Sequence, residues 1–112
     1  MTNGSFDALA VTEPYPGLSR RTFDSEHASV NEYRFAPGAS FPLHLHPEEQ
    51  LTFVLEGEIE LTAGTDTVRL RAGDWSVMSG GVEHGVTAGA EGARVLAVVV
   101  PRRSSPDAYT IV

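Results

Sequence analysis

Cysteine and lysine are both absent from the 112 residues. The first absence removes disulfides, thiolate nucleophiles, iron–sulfur clusters and cysteine-type zinc sites together, leaving nitrogen and oxygen as the strong metal ligands. The second leaves eight arginines as the whole basic complement, set against fifteen acidic residues for a net charge of −7. That excess repels phosphate backbones and anionic headgroups, so neither nucleic acid nor a membrane is expected as a partner. Long apolar runs are lacking too: the longest is the six residues Val95 to Val100, far short of the ~20 that cross a bilayer as a helix. The first basic residue is Arg20, so no positively charged segment precedes an apolar one, and a cytoplasmic location is the expectation. What is present is a 41% hydrophobic chain, enough for one core in a single domain over 1–112.

Helix signals are nearly missing. Eleven glycines and seven prolines cut the chain into segments that read with period two, the pattern of half-buried strands. Val30, Glu32 and Arg34 alternate with Asn31, Tyr33 and Phe35; Ile59 and Leu61 alternate with Glu58, Glu60 and Thr62; Val68 and Leu70 alternate with Arg69 and Arg71. A hairpin loop is expected over Thr62–Thr67, with turns at Ala72–Asp74 and around Gly80. Val95–Val100, closed by Pro101, reads as a strand buried on both faces. The fold class is therefore all-β, a sandwich or barrel. Residues 1–20 read as an extended N-terminal arm, about 33–100 as the barrel core, and 101–112 as a tail that docks through Tyr109, Ile111 and Val112. Exposed sheet edges invite pairing, so a homodimer with covered arms or edges is expected.

Three histidines and one glutamine fall at meaningful spacing. His44 and His46 are two apart, so on a strand they project from one face about 7 Å apart and can converge on one ion. Gln50 keeps the same parity. His84 must come from another strand, and a closing sheet brings it beside them. Taken singly, each is as well explained as a structural or surface residue. His27, outside this set, reads as a surface residue, and Glu48, Glu49 and Glu83 as solvated loop acids. Phe35, Phe41, Phe53, Trp75 and Met78 read first as core. Tyr33, Phe53 and Met78 are the first candidates for the lining of a pocket, and Arg34 and Arg94 are possible anchors for an anionic substrate.

With its glycines, the set resembles the two motifs of the cupin superfamily. Gly38, His44, His46, Gln50 and Gly57 keep the spacing of the first motif, with Gln in place of its acid. Gly73, Gly81 and His84 match the second, in which Ser79 and Ala88 replace a Pro and an Asn. The resemblance covers about Tyr33 to Val100. It implies a small single cupin barrel, a jelly roll or double-stranded β-helix, with His44, His46, Gln50 and His84 around a divalent transition metal (Zn, Ni, Fe, Cu or Mn). A neutral amide in place of a carboxylate leaves the full +2 charge of such an ion uncancelled, making it a stronger Lewis acid that is held less tightly.

A His, His, Gln, His set is similar to that of two groups of single-barrel cupins, polyketide cyclases and enzymes that linearise unsaturated uronates. The second carries an acid on the last strand, where this chain aligns Ala97. The function implied is metal-dependent chemistry on a small carbonyl-bearing molecule through an ion-stabilised enolate. Alternatives are a dioxygenase using Fe, Cu or Ni with O₂, and a non-catalytic module that binds a small ligand. The motif identifies no dedicated catalytic acid or base.

Overall fold

The computed structural model describes residues 1–112. After one 3-10 turn (Phe6–Ala8) come nine strands: β1 (Thr12–Tyr15), β2 (Leu18–Asp24), β3 (Ser29–Phe35), β4 (Ser40–Leu45), β5 (Glu49–Ala63), β6 (Asp66–Arg71), β7 (Trp75–Met78), β8 (His84–Val100) and β9 (Thr110–Ile111). All pairings are antiparallel.

Two long strands organise the rest. β5 and β8 pair along almost their whole length, with register shifts at Val54/Glu56 and Gly57/Ile59. Such irregularities bend a strand and raise its twist, so each long strand serves two walls. One wall runs β1–β2–β3–β8–β5–β7, through the C-terminal half of β8 and the N-terminal half of β5. The other runs β9–β4–β8–β5–β6, through the opposite halves. The outcome is the all-β jelly-roll class read from the sequence.

Alternation supplies the core between the walls. Asn31, Tyr33 and Phe35 on β3, Gln50, Thr52 and Val54 on β5, and Val95, Ala97 and Val99 on β8 are all buried. Their intervening neighbours face outward, so Val95–Val100 is not buried on both faces: Leu96 and Val98 are only partly covered and Val100 is exposed. Trp75, expected in the core, is 65% exposed, because it takes the outward position on the short edge strand β7. The expected arm over 1–20 is in part sheet, since β1 and the start of β2 lie within it. The hairpin loop expected over Thr62–Thr67 shrinks to Gly64–Thr65, as Thr62↔Thr67 and Ala63↔Asp66 already pair.

The tail from 101 to 112 joins the two walls. Arg102 N–H donates to the His27 carbonyl (2.8 Å), and Arg103 N–H to Ser29 Oγ (3.1 Å). The tail then meets Arg20, whose guanidinium donates to the Pro106 carbonyl (3.2 Å) and to Asp107 Oδ1 (3.0 Å). Tyr109 and Tyr15 share a hydroxyl hydrogen bond (2.9 Å), and β9 finally pairs with β4 at His44↔Ile111.

At the bend between the walls, Gly57 sits at φ 74°, and a Cβ there would collide with the Gly92 carbonyl and the backbone of Ala93. Gly64 has φ 60° but open space around it. Gly64→Ala is expected to cost about 1 kcal/mol, the left-handed penalty alone. Gly57→Ala adds a steric clash and is expected to cost more than ~3 kcal/mol. Urea denaturation of the two variants checks this, and equal losses would show that the close approach at the bend contributes nothing.

Candidate metal centre

The β4–β8 ladder sets His44 directly opposite His84. His46 lies just beyond β4, where its carbonyl accepts from Gly81 N–H (2.8 Å) and the Ser79–Glu83 loop closes on Pro47. Gly80 has no Cβ because one would collide with the Pro47 carbonyl. The chain turns at Pro47–Glu48, so Gln50 comes from β5, a different strand from the two histidines. It is held between Met78 and Val99. Spacing alone sets all three on one strand's parity, but the turn supplies the convergence.

Each of the three histidines donates Nδ1–H to a backbone carbonyl: His44 to Pro42 (2.8 Å), His46 to Glu48 (3.1 Å) and His84 to Val82 (2.9 Å). Because a carbonyl only accepts, the neutral rings carry their proton on Nδ1 and present an Nε2 lone pair. This is the arrangement metal-binding imidazoles adopt. Ring centroids lie 4.1 Å (His44–His84), 5.0 Å (His46–His84) and 5.9 Å (His44–His46) apart. One ligand atom from each falls within 4.8 Å of the others. Gln50 Nε2 donates to Thr52 Oγ1 (3.1 Å), which turns Oε1 to within 3.1 Å of His46 Nε2. Two acceptors then face each other in a buried place, and His84 Nε2 is buried with no hydrogen-bond partner at all. Acceptors gathered without a donor are costly unless a cation lies between them, so the donor set fits a nitrogen-binding divalent metal.

Protonation is disfavoured at two of the three rings. Burial, followed by the neighbouring His84, lowers His44 to about 3. Burial likewise lowers His84, with the charges of His46 and Arg103 acting in the same direction.

Of the proposed lining residues, Tyr33 does line the cavity beside this cluster, together with Phe35, Phe41, Thr52, Val95 and Ala97. Phe53 and Met78 do not. Phe53 falls on the outward parity of β5, and Met78, although buried, packs in the core outside the cavity lining. Arg34 and Arg94 are on the outer face as well, bonded to the fully buried Glu32 (Arg34 Nη2 to Oε2, 3.1 Å; Arg94 Nε to Oε2, 2.7 Å). Glu49 and Glu83 are exposed. Glu48 is not a solvated acid: its side chain is 13% exposed with Oε2 3.4 Å from His46 Nδ1. His27 is at the surface, 85% exposed.

Sequence reasoning missed Arg103. It lines the cavity from the tail, is 7% exposed, and its Nε is buried without a partner. Tyr33, also in the lining, is pushed by burial above the usual phenol range, against the charges of Arg103 and Arg20. The only signal available was that Arg102–Arg103 precede an apolar chain end. Tyr109 packs edge-on against His44, centroids 5.2 Å apart.

Residues 31–99 match the family model described as the cupin domain. No curated protein matches. Among solved structures, an RmlC-like cupin from Shewanella frigidimarina is 22% identical, with 90% of this chain and 91% of that one covered and a TM-score of 0.82. KdgF from Halomonas sp. is 25% identical over 87% of this chain and 92% of its own, TM-score 0.80. Oxalate decarboxylase from Bacillus subtilis, a protein described with Mn(II) centres, is 22% identical over 97% of this chain, TM-score 0.89, and this chain spans 32% of its length.

The lowered imidazoles have a pH consequence. A histidine whose folded pKa lies below its unfolded value destabilises the fold only where the unfolded chain takes up the proton. For His44, stability is intact above about 6.5 and is lost as pH falls from there toward about 3. Urea denaturation of the metal-free protein from pH 7.5 to 4 is expected to show this decline, and His44→Leu a shallower one.

Proposed function

The chain belongs to the cupin domain family, and on that premise we propose that it is a metal-dependent enzyme that shifts a proton next to a carbonyl in a small carboxylate. The carrying observation is the meeting of one nitrogen each from His44, His46 and His84 with Gln50 Oε1 beside a cavity that also receives Arg103, whose Nε has no partner. His44, His46, His84 and Gln50 would hold a divalent transition metal, with imidazole nitrogen favouring Zn, Ni, Fe, Cu or Mn over Mg or Ca. When bound, such an ion supplies Lewis acidity that polarises a substrate carbonyl and makes the adjacent C–H acidic.

The rest falls to the chain's own groups. Gln50, being neutral, brings no negative charge to the set. Arg103, buried and with a free Nε–H, offers a charge-assisted hydrogen bond to a carboxylate, and its backbone anchor on Ser29 fixes where that carboxylate lies. Tyr33, kept protonated by burial, holds a proton at Oη on the same cavity wall and would give it back to the carbon, while the proton first lost from the C–H goes to water. No carboxylate lines the cavity, and Ala97 occupies the last-strand position where the uronate-linearising cupins carry an acid. The substrate class is therefore carbonyl-bearing carboxylates rather than that group's uronates specifically. The cavity volume is about 30 Å³, room for little more than a water, so substrate entry in this scheme requires the tail to move.

The test follows deuterium incorporation next to the carbonyl of small 2-oxo acids by NMR, in protein loaded in turn with Zn, Ni, Mn and Fe(II). Exchange is expected with at least one ion and is lost, together with bound metal, in His44→Ala and His84→Ala. Arg103→Gln is expected to slow exchange of the acids ~10–100-fold, the loss of a charged hydrogen bond, while a neutral diketone is affected little. Tyr33→Phe should lower the rate without lowering metal content. A fully loaded protein that exchanges no carbon acid overturns this reading, and O₂ consumption in its place would favour the dioxygenase.

A further inference from the structure

Glu48 differs from the other acids beside the metal centre. Glu49 and Glu83 are exposed, whereas the Glu48 side chain is 13% exposed. The backbone fixes it there. Gly81 N–H donates to the His46 carbonyl (2.8 Å), and Gly80 sits so close that a Cβ would collide with the Pro47 carbonyl and touch the backbone of Glu48. Burying a carboxylate is costly unless a donor or a cation meets it, yet Oε2 is buried with no hydrogen-bond partner. The guanidinium groups with ionic partners are engaged elsewhere: Arg20 with Asp107, Arg69 with Glu58, and Arg21, Arg34 and Arg94 with Glu32. The one ion-pair contact of Glu48 is with His46 Nδ1, at 3.4 Å.

We propose that Glu48 is a positioning residue for the metal: it acts through His46 and supplies, from behind the ring, the negative charge that Gln50 does not bring. The inference rests on the ligand set of the proposed function. Side is the first argument. Nδ1 and Nε2 lie on opposite sides of an imidazole, and His46 Nε2 is the one that faces Gln50 Oε1 (3.1 Å). A carboxylate at Nδ1 therefore points away from the centre and reaches an ion only through the ring. The second argument is that His46 is alone in this. His44 and His84 each turn Nδ1 to a carbonyl, of Pro42 and Val82, whereas His46 Nδ1 meets both the carbonyl and the carboxylate of Glu48. Charge is the third. A cation on Nε2 draws electron density from the ring and makes Nδ1–H a stronger donor, so a hydrogen bond from it to a carboxylate gains strength. By the same coupling the ring becomes a better ligand. Without the ion that gain is missing, and the carboxylate is left with its burial cost alone. Glu48 thus acts with opposite signs on the metal-free fold and on metal binding.

Zinc affinity, by competition with a chromophoric chelator, and urea denaturation of the metal-free protein read the two signs. Glu48→Gln keeps the shape and removes the charge. It is expected to raise the zinc dissociation constant ~10–100-fold without lowering metal-free stability. Glu49→Gln removes an equal charge from the exposed neighbour and should change the affinity less than about twofold, because exposed charges are screened. In proton–nitrogen correlation spectra of the histidine rings, the zinc-loaded wild type should show His46 Nδ1–H furthest downfield of the three. Glu48→Gln should move that signal upfield and leave those of His44 and His84 in place. Unchanged zinc affinity in Glu48→Gln overturns the proposal, as does an equal loss in Glu49→Gln. So does a Glu48→Gln protein that is less stable without metal or does not fold, which marks a merely structural role, and so does a wild-type His46 signal no further downfield than the other two. The two readings fail separately. Zinc retained by His44→Ala removes the ligand set itself; zinc lost by His44→Ala but held normally by Glu48→Gln removes only the part assigned to Glu48.

Discussion

Each histidine of the cluster donates its one N–H to a main-chain carbonyl, and burial keeps His44 and His84 from taking a second proton. From that constraint the rest of the centre follows. Three lone pairs have to point somewhere, and the β4–β8 pairing with the Pro47 turn points them at one another. The Thr52 hydroxyl steers an amide oxygen to the same spot. A cluster of acceptors with no donor among them is unfavourable as protein alone, and a nitrogen-loving cation is the partner that makes it favourable.

The architecture separates two tasks by strand parity. On β5, Gln50 and Thr52 point inward to the histidines while Leu51 and Phe53 point outward; β8 repeats the division with Ala97 and Val98. Charge follows the same logic. Arg34 and Arg94 spend their guanidinium groups on the outer Glu32, whereas Arg103 enters the cavity with Nε unspent. Glu32 is invisible as a structural residue in a sequence reading, because a glutamate between Asn31 and Tyr33 looks like an ordinary solvent-facing strand position.

Much of the centre was legible because it depends on short-range spacing. His44 and His46 lie two apart near a strand end, glycines mark the bends, and the strands declare themselves by alternation. Where the reading failed, the deciding contact was remote in sequence or lay at an edge. Phe53, a core residue first and a pocket candidate second by sequence, lies outside the cavity, as its parity with Gln50 requires. Trp75 was assigned to the core on hydrophobicity, yet an edge strand leaves its outward side bare. Arg103 was missed because only the path of the tail, anchored on Ser29 and Arg20, brings it 70 residues back to Tyr33. No periodicity encodes such a crossing.

The carbonyls that splint the imidazoles belong to near neighbours: residues two before His44 and His84, and two after His46. Orientation of these rings is thus written into tripeptides and does not lean on the side chains around the cavity. Substitutions at Phe35, Val86 or Val95 can reshape what the chamber admits while leaving the tautomers intact. A lineage built on this scaffold is free to change what the chamber admits without disturbing the three rings beside it.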